Sequence, residues 1–546
     1  MECDVAIVGG GPGGLSAAAA LRQVLPPDVR IKVFEANTRF TEAGAGVGMR
    51  VNGMRALEAI SPYAAHGLYE RGCYSRCIRT YKDSDGEEVS GSAVPTDHAG
   101  NLERLGHSSV LAYWNDLRRV VADCLPPGVV EFGCRLSGCE ALPLEGGAGQ
   151  QELPESAPMA EQPYRYQLTF ERPSSGAGHS GGPSGGEEHV EAGGLAAAAA
   201  PGRPPLAVRC KVVVGADGYF SRVRRELLDG QAPAFTGMLM WRGSFPPEQL
   251  AAAEAGGEGL PLPGALAGRP AARAESHRWV PEGAYGLPGA PGVNPRLVLM
   301  LLQEGGEGVG VWYMQMLAPE AAAAGVEWPP AGSSGGGLYG EAALRRGLTA
   351  FAHLPPDLRA LLGATRPERV TEHGLYTHAL DKQGPGSWTR GHVAILGDAA
   401  HAAPPDGQGA NLSIEDAVVL ATVARKHGGV LGPQVFSEWE ALRQPRVRTI
   451  LGDAAPPFAV RTAAINAATF EPLWRPSQLG GEAAAVAAAA GADVDGEAGV
   501  QRVLSWSRGV IRAIVERRLA ELAVMEGAAA AAPAEVAAAA KARVPA

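Results

Sequence analysis

Apolar and polar positions alternate along the first 60 residues in a way that predicts two strands joined by a helix. Residues 4–8 and "IKVFE" at 31–35 are short, β-branched and apolar, which is typical of buried strands. Residues 15–25 are rich in Ala and Leu and favour a helix, which Pro26 and Pro27 end. A strand, a helix and a second strand in this order form a βαβ unit, and such units predict a parallel sheet.

Later segments add further strands and helices to this pattern. "YRYQLTF" at 164–170 alternates as a strand does, and "AVRCKVVVGADG" at 207–218 predicts one more strand that runs into a tight turn. "FTGMLMWRG" at 235–243 alternates as well, and "HVAIL" at 392–396 predicts a strand that ends at a Gly-Asp turn. Residues 410–450 carry a helical pattern, so both kinds of element extend to the last quarter of the chain.

Low-complexity stretches interrupt these elements. Residues 174–205 are dominated by Gly, Ser and Ala, a composition that predicts disorder. Because strand patterns stand on both sides, we interpret this segment as a lengthened hairpin loop, and loop length costs little since closure entropy grows only logarithmically. Similar padding occurs at 248–293, 318–345 and 476–499 and in the C-terminal tail.

Composition narrows the possible classes of function. The 546 residues predict two to four domains, and 48 Lys and Arg against 58 Asp and Glu give a formal net charge of −10. This balance offers no basic surface for nucleic acid or an anionic membrane. No segment reaches the roughly 20 consecutive apolar residues of a membrane helix. A first strand near residue 4 leaves no room for a signal peptide, so we expect a cytoplasmic protein.

Seven cysteines do not indicate a disulfide framework in so long a chain. The pairs Cys73 with Cys77 and Cys134 with Cys139 are spaced like halves of a metal site, but no further His or Cys pair completes either one. We therefore expect free thiols and no metal ion.

The stretch "VAIVGGGPGGLSAAAALR" at 5–22 contains a Gly-x-Gly-x-x-Gly motif. The same spacing recurs at 176–181 and 335–340 inside low-complexity loops, so the spacing alone carries little information. Only the first match follows a predicted strand, opens a helix and precedes a second strand, which is the arrangement that dinucleotide binding requires. No Lys-Ser or Lys-Thr pair follows the glycines, which argues against a nucleoside-triphosphate loop.

Each glycine of this motif has a physical task. Gly9 permits a tight turn, Gly11 lets the backbone approach a pyrophosphate, and Gly14 allows close packing of helix on strand. Glu35 ends the second strand about 20 residues further on, where an acid can accept hydrogen bonds from ribose hydroxyls. The predicted nucleotide-binding residues are Gly9, Gly11, Pro12, Gly13, Gly14, Glu35 and Ala36.

Two later stretches distinguish FAD from NAD. "VVVGADGYFSRVRR" at 212–225 and "GHVAILGDAAHAAPPDGQGANLSIEDA" at 391–417, together with residues 33–60, resemble the FAD-dependent monooxygenase family of the aromatic-ring hydroxylase type. The resemblance implies an α/β fold: a Rossmann-like FAD-binding domain with a mostly parallel sheet, an inserted mixed β-sheet substrate domain, and C-terminal helices. The implied segments are 1–80, 105–230 (with the insert 173–205) and 390–450 for FAD binding, 235–385 for substrate, 451–525 for helices, and 526–546 for an Ala-rich tail.

The resemblance also implies roles for individual residues. Asp398 would bond the ribityl chain, and Gly407, Gly409, Ala410 and Asn411 would lie beneath the flavin ring. Asp217 and Gly218, with Ser221 and Arg224, match a motif tied to both FAD and the nicotinamide cofactor. Simpler interpretations stay open: Asp398 as a helix N-cap, Asp217-Gly218 as an ordinary turn, and His401 as a packing residue.

The chain departs from the family pattern at two places. Trp114 stands where the family often has an FAD-binding Arg, although Leu117 is retained, so Arg118 or Arg119 is the candidate substitute. The loop 401–411 is about one residue shorter than in many members. Both departures bear on the cofactor geometry and on the choice of substrate.

The chemistry implied by the resemblance is hydroxylation of a small aromatic or conjugated substrate. NAD(P)H would reduce the flavin without a Rossmann domain of its own, O2 would form a flavin C4a-hydroperoxide, and one oxygen atom would enter the substrate. The strand at 235–243, with further strands at 296–303 and 309–317, would form the substrate sheet. The pocket candidates are Met238, Met240, Arg242, Tyr313, Pro404 and Pro405. The alternative is that the methionines fill the core and that Arg242 is a surface or pairing residue.

Two other hypotheses stay open at this level. One is a flavoenzyme of another class on the same fold, such as an epoxidase or a double-bond reductase; a halogenase is disfavoured because no Trp-x-Trp-x-Ile-Pro stretch occurs. The other is a catalytically silent FAD-binding protein. The choice between NADH and NADPH and the oligomeric state are also open.

Overall fold

The structure is a computed structural model that describes residues 1–40, 46–143, 157–172, 203–245, 249, 275–281, 297–304, 307–330, 337–452, 458–489 and 493–541. The predicted low-complexity segment 174–205 lies outside these residues except for its last three positions, and most of 248–293 lies outside them as well.

Nineteen strands are found in the described ranges. In chain order they are β1 (Val5–Val8), β2 (Ile31–Glu35), β3 (Gly46–Met49), β4 (Cys77–Lys82), β5 (Val94–Pro95), β6 (Val110–Tyr113), β7 (Val130–Phe132), β8 (Arg135–Ala141), β9 (Tyr166–Arg172), β10 (Arg203–Cys210), β11 (Val212–Gly215), β12 (Ala234–Phe245), β13 (Glu275–Val280), β14 (Leu297–Glu304), β15 (Glu307–Leu317), β16 (Leu338–Tyr339), β17 (Thr371–Thr377), β18 (Thr389–Arg390) and β19 (Val393–Ile395).

The helices of the same ranges are α1 (Pro12–Leu21), α2 (Val51–Ile60), α3 (Pro62–Arg71), α4 (His98–Leu105), α5 (Trp114–Ala122), α6 (Arg222–Leu227), α7 (Ala318–Ala323), α8 (Gly340–Ala350), α9 (Pro356–Gly363), α10 (Asp398–His401), α11 (Gly409–Lys426), α12 (Pro433–Leu451), α13 (Phe458–Ala467), α14 (Pro476–Leu479), α15 (Gly481–Ala488) and α16 (Glu497–Lys541). Short 3₁₀ turns occupy Pro367–Arg369 and Leu380–Lys382.

A six-stranded sheet in the order β18-β19-β11-β1-β2-β7 forms the centre of the first domain. All its neighbouring strands run parallel except β18, which pairs antiparallel with β19. Every residue of β1 and β11 is buried, because helices cover both faces of a parallel sheet and its strands are therefore apolar throughout. The predicted βαβ unit and Rossmann-like fold are confirmed, with α1 beginning at Pro12 and not at Leu15.

The segment 207–218 is two strands, so its prediction as a single strand was wrong. β10 pairs with β9 in a three-stranded sheet, whereas β11 joins the six-stranded sheet. Lys211 separates them: its buried ammonium lies 2.9 Å from a carboxylate oxygen of Asp4 and donates to the carbonyl of Met159 at 2.6 Å. A buried charge needs such partners, and these contacts fix the chain at the point where it passes from one sheet into the other.

The predicted helical region 410–450 is likewise divided into two helices. α11 ends at Lys426 and α12 begins at Pro433. Gly428 and Gly429 stand between them with φ of +80° and +78°, a conformation that L side chains rarely adopt. The helices therefore fold back on one another and do not form one long rod.

An eight-stranded sheet in the order β16-β17-β12-β15-β14-β13-β4-β5 forms the second domain. The strands predicted at 235–243, 296–303 and 309–317 are its β12, β14 and β15. One face carries Trp241, Trp279 and Trp312, which pack into a core with α8 and α9. The opposite face packs at its centre against β6, where Tyr113 contacts the Val298 and Met300 cluster.

The strand β4 at 77–82 belongs to the second sheet although it lies between two segments of the first domain. The domain division made from the sequence stays a prediction. The C-terminal α16 returns to the first domain, where Arg517 pairs with Glu70 of α3. Among the described residues, none of the helices is both long and apolar enough to cross a membrane.

A buried ion network fixes α11 against its neighbours. The Asp416 carboxylate accepts from the Gly397 amide at 3.0 Å, lies 2.7 Å from His401 Nε2, and accepts from Arg443 Nε at 2.7 Å. Glu415 beside it accepts from Arg443 at 2.8 Å. Asp416, Glu415 and His401 are fully buried, so removal of one partner would leave an unpaired charge in the interior.

This network makes the stability of the fold depend on pH. Burial works to raise the pKa of Asp416, but His401 and Arg443 outweigh it and hold the pKa at about 2, below the usual 3.8. A folded-state pKa below the unfolded one contributes stability that is complete above about pH 4 and lost as the pH falls toward 2. The contribution is about 2 kcal/mol.

We predict that Asp416→Asn lowers the free energy of unfolding at pH 7. The difference in free energy of unfolding between the wild type and this variant should narrow by about 2 kcal/mol as the pH falls from 4 toward 2. Urea denaturation followed by circular dichroism measures both. Asp229→Asn, which breaks the exposed pair with Arg390, serves as the control and should change stability by less than about 1 kcal/mol. A difference that does not vary with pH would contradict this account of Asp416.

Candidate functional site

Four predicted motifs lie at one edge of the six-stranded sheet. The Gly9 turn follows β1, Glu35 ends β2, Asp217 follows β11 after one residue, and Gly397 with Asp398 follows β19. These strands are neighbours and run parallel, so their carboxyl ends meet at the same edge. Open α/β sheets bind ligands in the crevice outside these ends.

The turns touch one another directly. Gly9 has φ of +107°, and a Cβ there would lie 2.2 Å from the Ala216 carbonyl oxygen. A Cβ on Gly13 would lie 2.8 Å from Leu396 Cδ1 and 3.1 Å from Ser413 Cβ. The glycine turn therefore packs against the turns after β11 and β19 and against α11. Segments separated by some 400 residues in sequence form one continuous surface.

The other glycines of the motif divide into a packing position and an open one. A Cβ on Gly14 would lie 2.0 Å from the Gly9 carbonyl oxygen, so only glycine allows α1 to pack this closely. A Cβ on Gly11 would meet nothing within 4 Å. No side chain caps α1 at Gly11, so its first amides receive no side-chain hydrogen bond at this end. The cradle has the shape and the positive helix end that a diphosphate requires.

Glu35 and Arg118 lie beside this cradle. The Glu35 carboxylate accepts from the Gly10 amide at 2.8 Å and from the Asn37 amide at 2.9 Å. Arg118 lies 3.9 Å from Glu35 and stacks over Phe40 at 4.2 Å. Its Nε is buried without a hydrogen-bond partner among the described residues, and burial lowers its pKa. A buried guanidinium with a free donor fits an anionic ligand.

The two predicted substitutes for the missing arginine are thus distinguished by position. Arg118 is buried on α5 next to Glu35, whereas Arg119 is exposed. Trp114 begins α5 and is half-buried against the core of the first domain. Arg118 thus lies beside Glu35, one helical turn after the position of the arginine in the family pattern, and its role in FAD binding stays a prediction.

Asp217 organises the turn after β11. Its carboxylate accepts from Ser221 Oγ at 2.6 Å and from the Arg222 amide at 2.7 Å, which satisfies the first amides of α6. Gly218 has φ of +81°. Arg224 donates to the carbonyl of Ala399 at 3.2 Å, so α6 is joined to the α10 turn. Asp217 therefore has a structural task, as the simpler interpretation proposed.

Asp398 is the first residue of α10 and not its N-cap, because Gly397 occupies the cap with φ of +59°. Burial raises the pKa of Asp398, and the nearby His401 opposes this. An Asp398 oxygen lies 3.8 Å from the Cβ position of Gly409, so the acid faces the start of α11. His401 itself is fully buried and bound to Asp416, as expected of a packing residue.

Asn411 joins α11 to the first domain through its side chain. Its amide oxygen accepts from the Arg50 amide at 2.8 Å, and its amide nitrogen donates to the carbonyls of Gly48 at 3.0 Å and Gly407 at 2.7 Å. Gly53 makes room for it, since a Cβ there would lie 2.0 Å from Asn411 Oδ1. Gly407 has φ of +82°, and Gly409 and Ala410 begin α11 without a side-chain cap. The amides of this helix end are free to face a ligand.

The pocket candidates Arg242 and Tyr313 face each other across β12 and β15. The same row continues across the sheet through Val298 to Arg278, since each residue stands opposite the next. Arg242 Nε donates to Thr371 Oγ1 at 3.1 Å, and burial lowers the pKa of Arg242. No ion pair holds Arg242 in the part of the chain that the structure describes. Its charge is therefore available to an anionic group.

Met240 is buried two residues away and stands opposite His373 of β17. Burial and the nearby Arg242 lower the pKa of His373 to about 3, so its imidazole is neutral near pH 7. Its Nδ1 is buried and lacks a partner among the described residues. Met238 is half-buried further along β12, and Pro404 and Pro405 are exposed between α10 and α11. These last three positions stay predictions.

Sequence reasoning missed three further groups at this site. Arg50 follows β3 and caps the start of α2; desolvation by the surrounding protein lowers its pKa, while Asp406 and Tyr313 oppose this. His373 and the Asp416–Arg443 network were missed as well. A signal for the network was present in the two adjacent acids of "SIEDA" at 413–417, since acids inside an apolar helix need partners. Arg50 and His373 carry no comparable signal in a single sequence.

Metal chemistry finds no support in the described residues, where no group of three His, Cys, Asp or Glu side chains is positioned to hold an ion. All seven cysteines fall within the described ranges, and none of them forms a disulfide bond.

Comparison with known families matches two parts of the chain. Residues 372–453 match the FAD binding domain, and residues 7–56 match the NAD(P)-binding Rossmann-like domain. These segments contain the glycine turn, Glu35, Asp398 and Asn411.

The chain is also similar over most of its length to curated monooxygenases. It is 28% identical to a 3-amino-4-hydroxybenzoate 2-monooxygenase of Streptomyces platensis, over 82% of this chain and 85% of that protein. It is 26% identical to the 6-methylsalicylate 1-monooxygenase of Aspergillus terreus over 79% of this chain and 77% of that protein. It is 26% identical to the salicylate hydroxylase of Pseudomonas putida, over 81% and 82%.

Solved structures share the fold. HpxO of Klebsiella pneumoniae, complexed with FAD and uric acid, aligns with a TM-score of 0.52 at 19% identity over 96% of each chain. The 2,6-dihydroxypyridine-3-hydroxylase of Arthrobacter nicotinovorans aligns with a TM-score of 0.50 at 16% identity, over 84% of this chain and 95% of that chain. This likeness confirms the fold. The matched domains and the curated relatives confirm the resemblance: the chain is a flavoprotein oxidoreductase similar to the FAD-dependent monooxygenases of the aromatic-ring hydroxylase type.

Proposed function

We propose that this protein is an NAD(P)H-consuming monooxygenase that hydroxylates a small aromatic acid. The observation that carries the proposal is the meeting of the Gly9, Asp217 and Asp398 turns at one sheet edge. The second sheet adds Arg242, a half-buried guanidinium that has no ion pair among the described residues. Together the two features support a nucleotide cleft with a neighbouring site for an anionic substrate.

The residues at the cleft fit FAD in an extended form. The amides of Gly11, Gly13 and Gly14 would hold the diphosphate, with Glu35 toward the ribose and Arg118 as a neutralising cation. Asp398 would accept from the ribityl hydroxyls. The helix end at Gly409 and Ala410, braced by the Asn411 side chain, would face the polar edge of the ring. When bound, FAD supplies the reductive activation of O2 that no protein side chain provides.

The substrate would lie between this helix end and the row of side chains on the second sheet. The three relatives are named for hydroxylated benzoates, which combine a carboxylate with a ring hydroxyl. A carboxylate would pair with the Arg242 guanidinium, which is otherwise costly to bury. Tyr313, held opposite Arg242, would limit the orientation of the ring.

His373 would manage the proton of a ring hydroxyl. Because its pKa lies near 3, one ring nitrogen is an unprotonated acceptor at neutral pH. The buried Nδ1 without a partner is placed to accept the substrate hydroxyl hydrogen bond or to donate, depending on the tautomer. Polarising this hydroxyl makes the adjacent ring carbon more nucleophilic, which favours oxygen insertion.

The test of this function is oxygen transfer by the FAD-loaded protein. NADH or NADPH consumption should rise when salicylate or a related hydroxybenzoate is added, and mass spectrometry should find one 18O atom from 18O2 in the product. Peroxide is measured alongside to detect uncoupled oxidation. Flavin bleaching without 18O transfer would favour a double-bond reductase. FAD uptake without any oxidation of NADH or NADPH would favour the catalytically silent FAD-binding protein, and failure to take up FAD at all would overturn the proposal.

A pair of glycine substitutions tests the nucleotide cradle. Gly11→Ala places its methyl in open space, so the protein should fold normally but lose FAD affinity by about 10-fold or more as the diphosphate is pushed away. Gly14→Ala drives a Cβ against the Gly9 carbonyl and should instead lower the melting temperature of the apoprotein. Flavin fluorescence titration and calorimetry measure the two effects. Normal FAD affinity in Gly11→Ala would contradict the assignment.

A substitution at Arg242 tests the recognition of a carboxylate. Arg242→Met keeps the bulk of the side chain and removes its charge, so the KM for an aromatic acid should rise about 10- to 100-fold. The KM for the matching neutral phenol should change little. The control is Arg278→Met, three strands away in the same row. An equal change for acid and phenol would mean that Arg242 serves the fold and not the carboxylate.

A further inference from the structure

A second cavity lies apart from the cleft at the strand ends. Its volume is about 440 Å³, and it opens between α2, the end of α4, residues 469–472 and α16. Its lining includes none of the turns at the edge of the six-stranded sheet. A cavity of this size can enclose a small organic molecule.

Positive charge dominates the wall of this cavity. Four arginines and two glutamates line it. One of the glutamates, Glu58, already has hydrogen-bond partners: its carboxylate accepts from Ser507 Oγ at 2.6 Å and lies 3.1 Å from His107 Nε2. The arginines are Arg55, Arg104, Arg508 and Arg512. Arg104 pairs with Asp97 outside the cavity at 3.0 Å, and Arg512 lies 4.0 Å from Glu516.

Two guanidinium groups remain without a carboxylate of their own. Arg55 donates only to backbone carbonyls, those of Asn466 and Ala468 at 2.7 Å and that of Leu105 at 2.7 Å. Arg508 has neither a hydrogen bond nor an ion pair to any described residue, and its side chain lies against Gly106. Burial and the charge of Arg508 lower the pKa of Arg55, while the Glu58 carboxylate, which is also near Arg508, opposes this. Two cations on the wall of one cavity repel each other, and an anion bound between them would offset this repulsion.

Apart from the second glutamate, Glu103, and Thr469, the remainder of the wall is apolar or glycine. Leu102, Leu105, Phe470, Pro472 and Leu504 line it. A bare inorganic anion would leave this surface unused and most of the volume unfilled. The wall therefore fits a molecule that has an acidic group at one end and a hydrocarbon or aromatic body.

We propose that this cavity, hereafter the anion cavity, binds a small organic carboxylate with its acidic group on Arg508 and Arg55 and its body against Leu504 and Phe470. This is a second site, distinct from the cleft and independent of the proposed hydroxylation. Its occupant would clamp α16 onto α2. At its other end α2 carries Asn52, which donates to Gln408 and Glu415 near the predicted ring-binding segment. Because a ligand in this cavity would bind the folded protein and not the unfolded chain, occupancy would stabilise the folded protein.

The test uses the FAD-loaded full-length protein and isothermal titration calorimetry with three probes: benzoate, 2-naphthoate and octanoate. Inorganic phosphate is titrated in a separate arm. The probes could also bind in the proposed substrate pocket, so every titration is repeated in Arg242→Met, in which that binding is weakened. We expect saturable binding of at least one carboxylate that survives in Arg242→Met and weakens as salt is added.

Charge reversal identifies the site. Arg508→Glu should weaken this binding at least about 10-fold, and Arg508→Gln, a milder change at an exposed position, should weaken it in the same direction. The matched control is Arg502→Glu, an exposed arginine of the same helix that does not line the cavity and donates to the Ala489 carbonyl. It should bind as the wild type does.

Three outcomes would overturn the proposal. The first is no saturable binding of any carboxylate probe to wild type or Arg242→Met. The second is unchanged affinity in both Arg508 variants. The third is phosphate binding as tight as the best carboxylate, which would mean that the apolar wall contributes nothing. Loss of hydroxylation activity has no bearing on these results, so failure here and failure of the proposed function are distinguishable.

Discussion

The closeness of the backbone at the carboxyl ends of β1, β11 and β19 is the constraint on which this structure depends. Gly9 abuts the Ala216 carbonyl, Gly14 abuts Gly9, and Gly13 abuts Leu396, each at a distance that excludes a side chain. Parallel strands bring these turns to one edge, but only glycine lets them touch. The contact converts three distant segments into one wall, and this wall defines the nucleotide cleft.

Two further devices hold this wall against the rest of the molecule. The Asp416 carboxylate ties the turn after β19 to α11 and α12, and Asn411 ties the start of α11 to β3. Both are buried polar groups with their partners supplied, as interior polar atoms require. The second sheet then presents Arg242 and Tyr313 from outside the nucleotide domain. Under the proposed function, cofactor binding and substrate recognition belong to separate sheets, so that the pocket could vary while the cleft is kept.

Much of this arrangement follows from the sequence, and the parts that do not have identifiable causes. Strands such as Ile31–Glu35 are predictable because local apolar pattern decides them. The division at Lys211 was not, because its cause is a distant Asp4 carboxylate. The split of 410–450 has a local signal, because the adjacent Gly428 and Gly429 are typical of a turn. Arg118 was one of two candidates, and only its position in the fold, buried between Glu35 and Phe40, distinguishes it from the exposed Arg119.

The pocket shows the same limit more sharply. Arg242 and Tyr313 could be named from strand alternation, but their pairing depends on the register between β12 and β15. His373 has no motif around it, and its neutral state arises from burial beside Arg242. The anion cavity is lined by four separate segments of the chain, so no local sequence pattern predicts it. Long-range register and burial are the quantities that a single sequence does not carry.

The central claim is that one extended FAD molecule occupies the crevice at these strand ends. A crystal structure of the protein grown with FAD tests it most directly. The account predicts diphosphate oxygens about 3 Å from the amides at Gly11 to Gly14, the ribityl chain beside Asp398, and the ring against the start of α11 at Gly409. Electron density for FAD at any other place, or a ring lying away from α11, would contradict the account.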